Sequence, residues 1–327
     1  MHLKKIRTIL VGFGFIFMIT PSLCWTKDYP NKPIEIVNPY APGGANDLSI
    51  RIIGEKIAEL LGQPIVVVNK VGGAAVVGSM YVANSKPDGY TILANTAGFV
   101  TRPLYDPRVP YRCTQFRPIG IPAMHENVLC VNKNLPIKNI AELIAYAKRN
   151  PGVLSYTIAG KGGATYLAME YLKYKTHLTD IHLQCVPHQG DAPALLAILG
   201  NHVQVSLTNP AFALQYIKSN SIQPIAILSK KRDPLLPEIP TSLEQGFQDV
   251  VASSYFLWLV PVGTPDEIIK KLENTMEKSL QDKGVLEKLL KINIIAGFMN
   301  SKETQTFLDN EIKMWERIIK ETNLAVK

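Results

Sequence analysis

The sequence predicts an α/β protein, and three observations carry that prediction. Short apolar strand patterns alternate with amphipathic helix patterns along most of the 327 residues, the rhythm of parallel-sheet proteins. Some strand patterns, such as Ile65-Val66-Val67-Val68, are apolar throughout, as strands buried on both faces require. Two strands also run through glycine pairs directly into helices, at Gly43-Gly44 and again at Gly162-Gly163. Hydrophobic residues make up 46% and charged residues 19%, so a packed core is expected, and the length allows two domains.

The first 24 residues stand apart. Lys4, Lys5 and Arg7 precede an apolar run from Ile9 to Ile19, which Pro21-Ser22 breaks before a cut after Cys24. This is the pattern of a secretory signal peptide, and the run is too short to span a bilayer. Leu23 stands where a lipoprotein signal has a small residue, so export without a lipid anchor on Cys24 is the expectation. Asp28 to Pro33 is an extended lead-in, since Pro30 and Pro33 exclude a helix.

Ile34-Glu35-Ile36-Val37 is the first strand. The stretch Asn38-Pro39-Tyr40-Ala41-Pro42-Gly43-Gly44-Ala45-Asn46-Asp47 follows, and then a helix with Ile50, Ile53, Ile57, Leu60 and Leu61 on one face. A strand, a glycine turn and a helix start gather backbone N–H groups and a positive dipole end, which makes an anion-binding site. An ordinary βα turn has the same pattern, and this stretch alone leaves both readings open. Gly62-Gln63-Pro64 ends the helix. After the strand 65–68, a small-residue turn containing Gly72-Gly73-Ala74-Ala75 leads to a helix through Ala83. Pro87-Asp88-Gly89-Tyr90 is a turn before the strand Thr91–Ala94.

Asn95 to Phe116 reads as irregular, with short strands near Ile119–Ala123 and Val128–Val131 and a helix at Ile140–Lys148. Tyr156–Ala159 is a strand that runs into Gly160-Lys161-Gly162-Gly163-Ala164-Thr165 and a helix, the second strand–glycine–helix unit. The Walker order of glycines, Lys and Ser/Thr is absent. Strands at Cys185–Pro187, Val203–Leu207 and Pro224–Leu228 alternate with helices at Ala192–Leu199 and through Ile217. Leu236-Pro237-Glu238-Ile239-Pro240-Thr241 is a stiff linker into a helix containing Leu243 and Glu244. The strand Tyr255–Val260 precedes two closing amphipathic helices.

The formal charge is +8, of which the leader supplies three positive charges. The basic residues are scattered without interleaved aromatics, so no nucleic-acid partner is expected. Cys113, Cys130 and Cys185 match no metal or redox spacing, and a Cys113–Cys130 bridge stays open. His125, His177, His182 and His202 share no helix face, so no metal or other cofactor is expected. No Gly-x-Ser-x-Gly elbow, His-Glu-x-x-His helix or Cys-x-x-Cys pair is present, which argues against an enzyme.

Six landmark motifs occur in order: Tyr29-Pro30…Pro33-Ile34; Pro39-Tyr40-Ala41-Pro42-Gly43-Gly44 with Asp47 and Arg51; Lys86-Pro87-Asp88-Gly89-Tyr90-Thr91; Val186-Pro187…Gly190…Pro193-Ala194; Leu236-Pro237-Glu238-Ile239-Pro240-Thr241…Glu244…Gly246; and Pro261-Val262-Gly263-Thr264-Pro265. Through them the chain resembles the periplasmic solute-binding proteins of tripartite tricarboxylate transporters, also called Bug proteins. The resemblance implies a two-lobed, Venus-flytrap fold of type II-like architecture, each lobe a mostly parallel sheet flanked by helices. It divides the chain into a leader (1–24), lobe one (25–125 and 229–327) and lobe two (126–228). It also implies a monomeric periplasmic protein that holds a small carboxylate, or an amide, between its lobes and hands it to the membrane subunits of a transporter. A sensor that reports ligand occupancy is the rival role.

Carried over residue by residue, the ligand site comprises Tyr40, Ala41, Pro42, Gly44, Ala45, Asn46 and Asp47 in the first turn and Gly160, Lys161, Gly162, Gly163, Ala164 and Thr165 in the second. Thr96, His188, Thr208 and Asn209 complete it. Asp47 has two readings, a group that orients water or ligand and a helix cap. Lys161 reads as a solvated loop lysine or a ligand contact, and His188 as a contact or a wall residue. The family often has Ser where Ala159, Gly163 and Ala164 stand, His at Tyr166, Asp near Thr208-Asn209, and Gly at Ala74 and Ala75. The lost hydroxyls leave more of the work to backbone N–H groups.

Overall fold

Alternation along one strand shows how the first sheet is buried. In Ser253–Pro261, Phe256, Trp258 and Val260 face one side while Tyr255, Leu257 and Leu259 face the other, and all six are buried. The computed structural model describes residues 29–158, 161–188 and 191–326; the expected leader, Ala159 and Gly160 lie outside them. In chain order the elements are β1 (Ile34–Asn38), α1 (Ala45–Leu61), β2 (Ile65–Asn69), α2 (Val76–Ala83), β3 (Thr91–Thr96), α3 (Gly98–Tyr105), β4 (Phe116–Glu126), β5 (Val128–Asn132), α4 (Ile140–Arg149) and β6 (Ser155–Ile158). Then come α5 (Ala164–Thr176), β7 (Gln184–Pro187), α6 (Asp191–Leu199), β8 (Val205–Thr208), α7 (Pro210–Lys218), β9 (Ile222–Ile227), β10 (Ser253–Pro261), α8 (Asp266–Ser279), α9 (Lys283–Lys291), β11 (Met299–Asn300) and α10 (Ser301–Thr322).

Two sheets result, ordered β11-β4-β10-β3-β1-β2 and β7-β6-β8-β5-β9. The chain passes from the first to the second between Glu126 and Val128 and returns between Ile227 and Ser253. The result is a two-lobed α/β fold. The parallel parts are where the sequence places them, in β2-β1-β3 and in β7-β6-β8. The strands on either side of the two passages, β4 with β10 and β5 with β9, pair antiparallel, so each sheet is mixed rather than mostly parallel.

On one face of the first sheet, Ile50, Ile53 and Ile57 of α1 meet Ile268, Leu272 and Met276 of α8. On the other, Trp315 and Ile318 of α10 join a core that continues into the second lobe through Leu167 and Tyr171 of α5. In the second sheet Val128 and Cys130 pack on Leu195 and Ile198 of α6. Each fully buried aliphatic side chain contributes about 1.5–3 kcal/mol by leaving water.

Four expectations are corrected. The strand 65–68, read as buried on both faces, is β2 at the edge of its sheet, with Val66 46% exposed. The irregular stretch after Asn95 contains a helix, α3, despite Pro103 inside it. Pro103 has no N–H for the Phe99 carbonyl, and that oxygen accepts from the Tyr111 hydroxyl at 3.1 Å instead. The helix expected at Leu243-Glu244 is a turn. There Glu244 N–H donates to Thr241 Oγ1 at 3.0 Å and Thr241 N–H to Glu244 Oε2 at 2.7 Å, so the reciprocal bonds of a capping box form with no helix behind them. The chain closes with three helices, because Asn293 in left-handed backbone (φ 56°) and residues 293–298 separate α9 from α10.

Candidate functional site at the two glycine turns

The site is built at the carboxyl ends of parallel strands, where open α/β sheets present their loops. β1, β2 and β3 end in Asn38, Asn69 and Asn95-Thr96, and these side chains tie the first turn down. Asn69 Nδ2 donates to Asp47 Oδ1 at 2.9 Å and to the Tyr40 carbonyl at 3.2 Å. Asn38 Nδ2 reaches the same carboxylate oxygen at 3.3 Å. The Tyr40 hydroxyl donates to Asn95 Oδ1 at 2.8 Å and lies 2.8 Å from Thr96 Oγ1.

Asp47 is buried and saturated from within its own lobe. It accepts from Gly43 N–H at 3.0 Å and from Arg51 Nε at 2.9 Å, besides the two asparagines. Burial pushes its pKa up, but Arg51, the Gly43 amide and Asn69 outweigh that and hold it down at about 2. Of the two readings of Asp47, these bonds describe a group that fastens the turn. Asn46 is buried as well, donating to Asn38 Oδ1 at 2.8 Å and the Ala94 carbonyl at 2.9 Å, while its own Oδ1 has no partner among the described residues. Ala41, Pro42 and Gly44 are exposed and Ala45 half-buried, so backbone is what the open side of this turn displays.

The second turn repeats the first in its backbone. Gly43 and Gly162 both have φ +80°, which favours glycine. Gly44 (φ −74°, ψ 167°) and Gly163 (φ −81°, ψ 166°) are the N-caps of α1 and α5, and no side chain caps either helix. The first-turn N–H groups of a 17-residue and a 13-residue helix are therefore left for another acceptor. Ala164 is buried, Thr165 half-buried and Lys161 exposed.

α3 brings the two turns to one side of the molecule. A Cβ on its first residue, Gly98, would sit 3.7 Å from the Tyr40 hydroxyl. Further along, Arg102 Nη1 donates to the Lys161 carbonyl at 3.0 Å, and the Tyr105 ring meets Tyr166 edge-on at 5.7 Å. The helix is only about 12 Å long. Other predicted residues gather at the strand ends of the second sheet. His188 Nδ1 is 2.7 Å from Thr157 Oγ1. Asn209 Nδ2 meets His125 Nε2 of β4 at 2.5 Å. Burial lowers the His125 pKa to about 4, so at neutral pH its ring is uncharged and accepts that bond. Thr208 is 1% exposed and its Oγ1 lacks a partner among the described residues, so its side chain belongs to the interior.

Comparisons with known proteins decide the family. Residues 49–324 match the model of the tripartite tricarboxylate transporter family receptor. The chain is 30% identical to Protein BugT of Bordetella pertussis over 302 residues, 91% of this chain and 92% of that one. The chain belongs to this receptor family. Among solved structures, an R. palustris protein with adipate has TM-score 0.79 and 30% identity, over 91% of this chain and 99% of that one. MatC from Rhodopseudomonas palustris with bound malate has TM-score 0.75 and 25% identity, over 89% of this chain and 100% of that one. The receptor is a solute-binding protein of a periplasmic family, and neither its family nor its structural neighbours are enzymes.

The sequence reading of this receptor missed Asn38, Asn69, Asn95, Arg102 and Tyr105. A signal for the asparagines exists, since Ile-Glu-Ile-Val-Asn, Ile-Val-Val-Val-Asn and Thr-Ile-Leu-Ala-Asn each end an apolar strand in Asn. Arg102 and Tyr105 were hidden with the unrecognised α3. Cys113, Cys130 and Cys185 are free thiols, which settles the open bridge. Among the described residues, no three His, Cys, Asp or Glu side chains stand together as a metal site. Nor is any helix there long and apolar enough to cross a membrane.

Proposed function

We propose that this receptor captures a small organic acid between its lobes and delivers it to the membrane subunits of a tripartite transporter. One observation carries the reading: two uncapped helix starts with matching glycine turns, one per lobe, linked by α3. Each offers backbone N–H donors and a positive dipole end, which together favour a carboxylate by charge-assisted hydrogen bonds. A guest touching both lobes binds the closed arrangement better than the open one, and that difference in affinity shifts the population towards closure. Tyr40, Ala41, Pro42, Gly44, Ala45, Asn46, Asp47, Thr96, 160–165, His188, Thr208 and Asn209 form or back this site, with lobe one at 25–125 and 229–327 and lobe two at 126–228. Export through the 1–24 leader places a monomeric protein in the periplasm. The adipate and malate of its structural relatives suit the same chemistry.

A thermal-shift screen over carboxylates and matching amides tests the reading. A ligand at 100 times its Kd adds about 2.7 kcal/mol to the folded state, on the order of 5 °C for a chain of this size. The expected result is a shift with acids. Shifts from neutral amides but from no acid would overturn it.

A further inference from the structure

Arg102 is a cation that the turns do not account for. It is half-buried on α3, and its guanidinium lies over the second turn, with Nη1 on the Lys161 carbonyl and 3.2 Å from where a Gly162 Cβ would be. The helix that carries it starts beside the first turn, where a Cβ on Gly98 would sit 3.7 Å from the Tyr40 hydroxyl. Among the described residues no carboxylate stands within ion-pair distance of it. The nearby Asp106 is taken by Arg108, with bonds of 2.8 Å from both Nε and Nη2. A guanidinium has five N–H donors in a planar fork, and among the described residues only one of them has a protein acceptor. A cation with spare donors, on the helix that joins two anion-favouring helix starts, is matched by a second negative group on the guest.

We propose that Arg102 is the specificity-determining residue of this receptor, gripping the second carboxylate of a dicarboxylic acid whose first carboxylate sits at the glycine turns. The proposal rests on the carboxylate reading above and narrows it to di-acids. Lysine could not replace it fully, since an ammonium is a point charge without the fork.

The test is calorimetry on the exported chain with straight-chain dicarboxylates from succinate to adipate and monocarboxylates of equal length. The wild type should bind one di-acid at least about 10-fold tighter than its mono-acid partner. Arg102→Gln should lose on the order of 10- to 100-fold for the di-acid and several-fold less for the mono-acid, which loses only the link to the Lys161 carbonyl, and an unchanged melting temperature shows that the variant folds. Arg102→Lys should fall between, and Arg149→Gln, an equal charge change at an exposed residue of α4, should behave as wild type. A mono-acid bound as tightly as the di-acid, or a preference that survives Arg102→Gln, overturns the assignment while leaving the carboxylate reading intact. If no acid of either kind binds, the carboxylate reading itself has failed and this assignment falls with it.

Discussion

Gly43 and Gly162 have the same backbone, but a Cβ at Gly43 would meet nothing within 4 Å, whereas one at Gly162 would strike Tyr105 Cδ1 at 2.6 Å. The first turn is fastened from inside its own lobe by Asp47, Asn38 and Asn69. The second has no acid in its first helical turn and is covered by α3 from the opposite lobe. One corner is thus a finished scaffold within its own lobe, and the other is finished by a contact between the lobes. Equal dihedrals do not make equal sites, because the surroundings decide what holds each corner.

The largest effect expected from this contrast is at the covered corner. Gly162→Ala adds left-handed strain and a clash with Tyr105, and should cost about 2–4 kcal/mol in denaturant melts. Gly43→Ala, with open space around it, should cost about 1 kcal/mol. Equal losses would mean that α3 does not hold the second turn.

Asp47→Asn tests the scaffold corner. It weakens the bonds to Gly43, Arg51 and Asn69, and a loss of about 2 kcal/mol is expected. The pH dependence carries its own sign. With a folded pKa of about 2, below the unfolded value, the unfolded state takes up more protons as pH falls below about 4. Stability from Asp47 is therefore present above that range and lost as pH falls towards 2. The asparagine variant should lack that part of the acid limb.

Carboxyls behind the crossing strands behave oppositely. Glu126 and Glu311 line a cavity of about 440 Å³ together with Lys230, Lys231, Asp249 and Arg317. Burial raises both to about 7, and it raises the neighbouring Asp233 too. Here the folded state holds protons that the unfolded state has released, so stability falls as pH rises towards and through 7. His125, held at about 4, acts in the opposite sense only below about 6.5. Thermal melts from pH 6.5 to 8 should show the decline in the wild type and a flatter profile in Glu126→Gln/Glu311→Gln.

The smallest effect belongs to the third turn, where Ala74 (φ 52°) keeps left-handed backbone without being glycine. It is exposed, so Ala74→Gly removes strain without opening a cavity and should stabilise by about 0.5–1 kcal/mol. A loss instead would show that chain entropy outweighs the strain.

Much of this was legible before any coordinates. Apolar strands, glycine punctuation and the 3.6-residue spacing of Ile50, Ile53 and Ile57 expose βα units, because burial and backbone sterics act locally. What stayed hidden depends on contacts distant in sequence. α3 was masked by Pro103, and its compensation comes from Tyr111, eight residues on. Thr241 and Glu244 carry a helix-start signature, yet Glu244 is shared with Arg232, whose Nε lies 3.0 Å away, and the segment stays a turn. The buried side of Asn46 and Thr208 likewise follows from packing that residue type does not announce.

The last residues of the chain have a practical bearing on all of these measurements. Val326 N–H donates to the Tyr105 carbonyl at 2.8 Å, pinning the end of the helix that carries Arg102. Trimming from Leu324 onwards, or fusing a purification tag directly behind Val326, would slacken that pin and could be misread as a ligand effect. Affinity handles therefore belong away from this end of the chain.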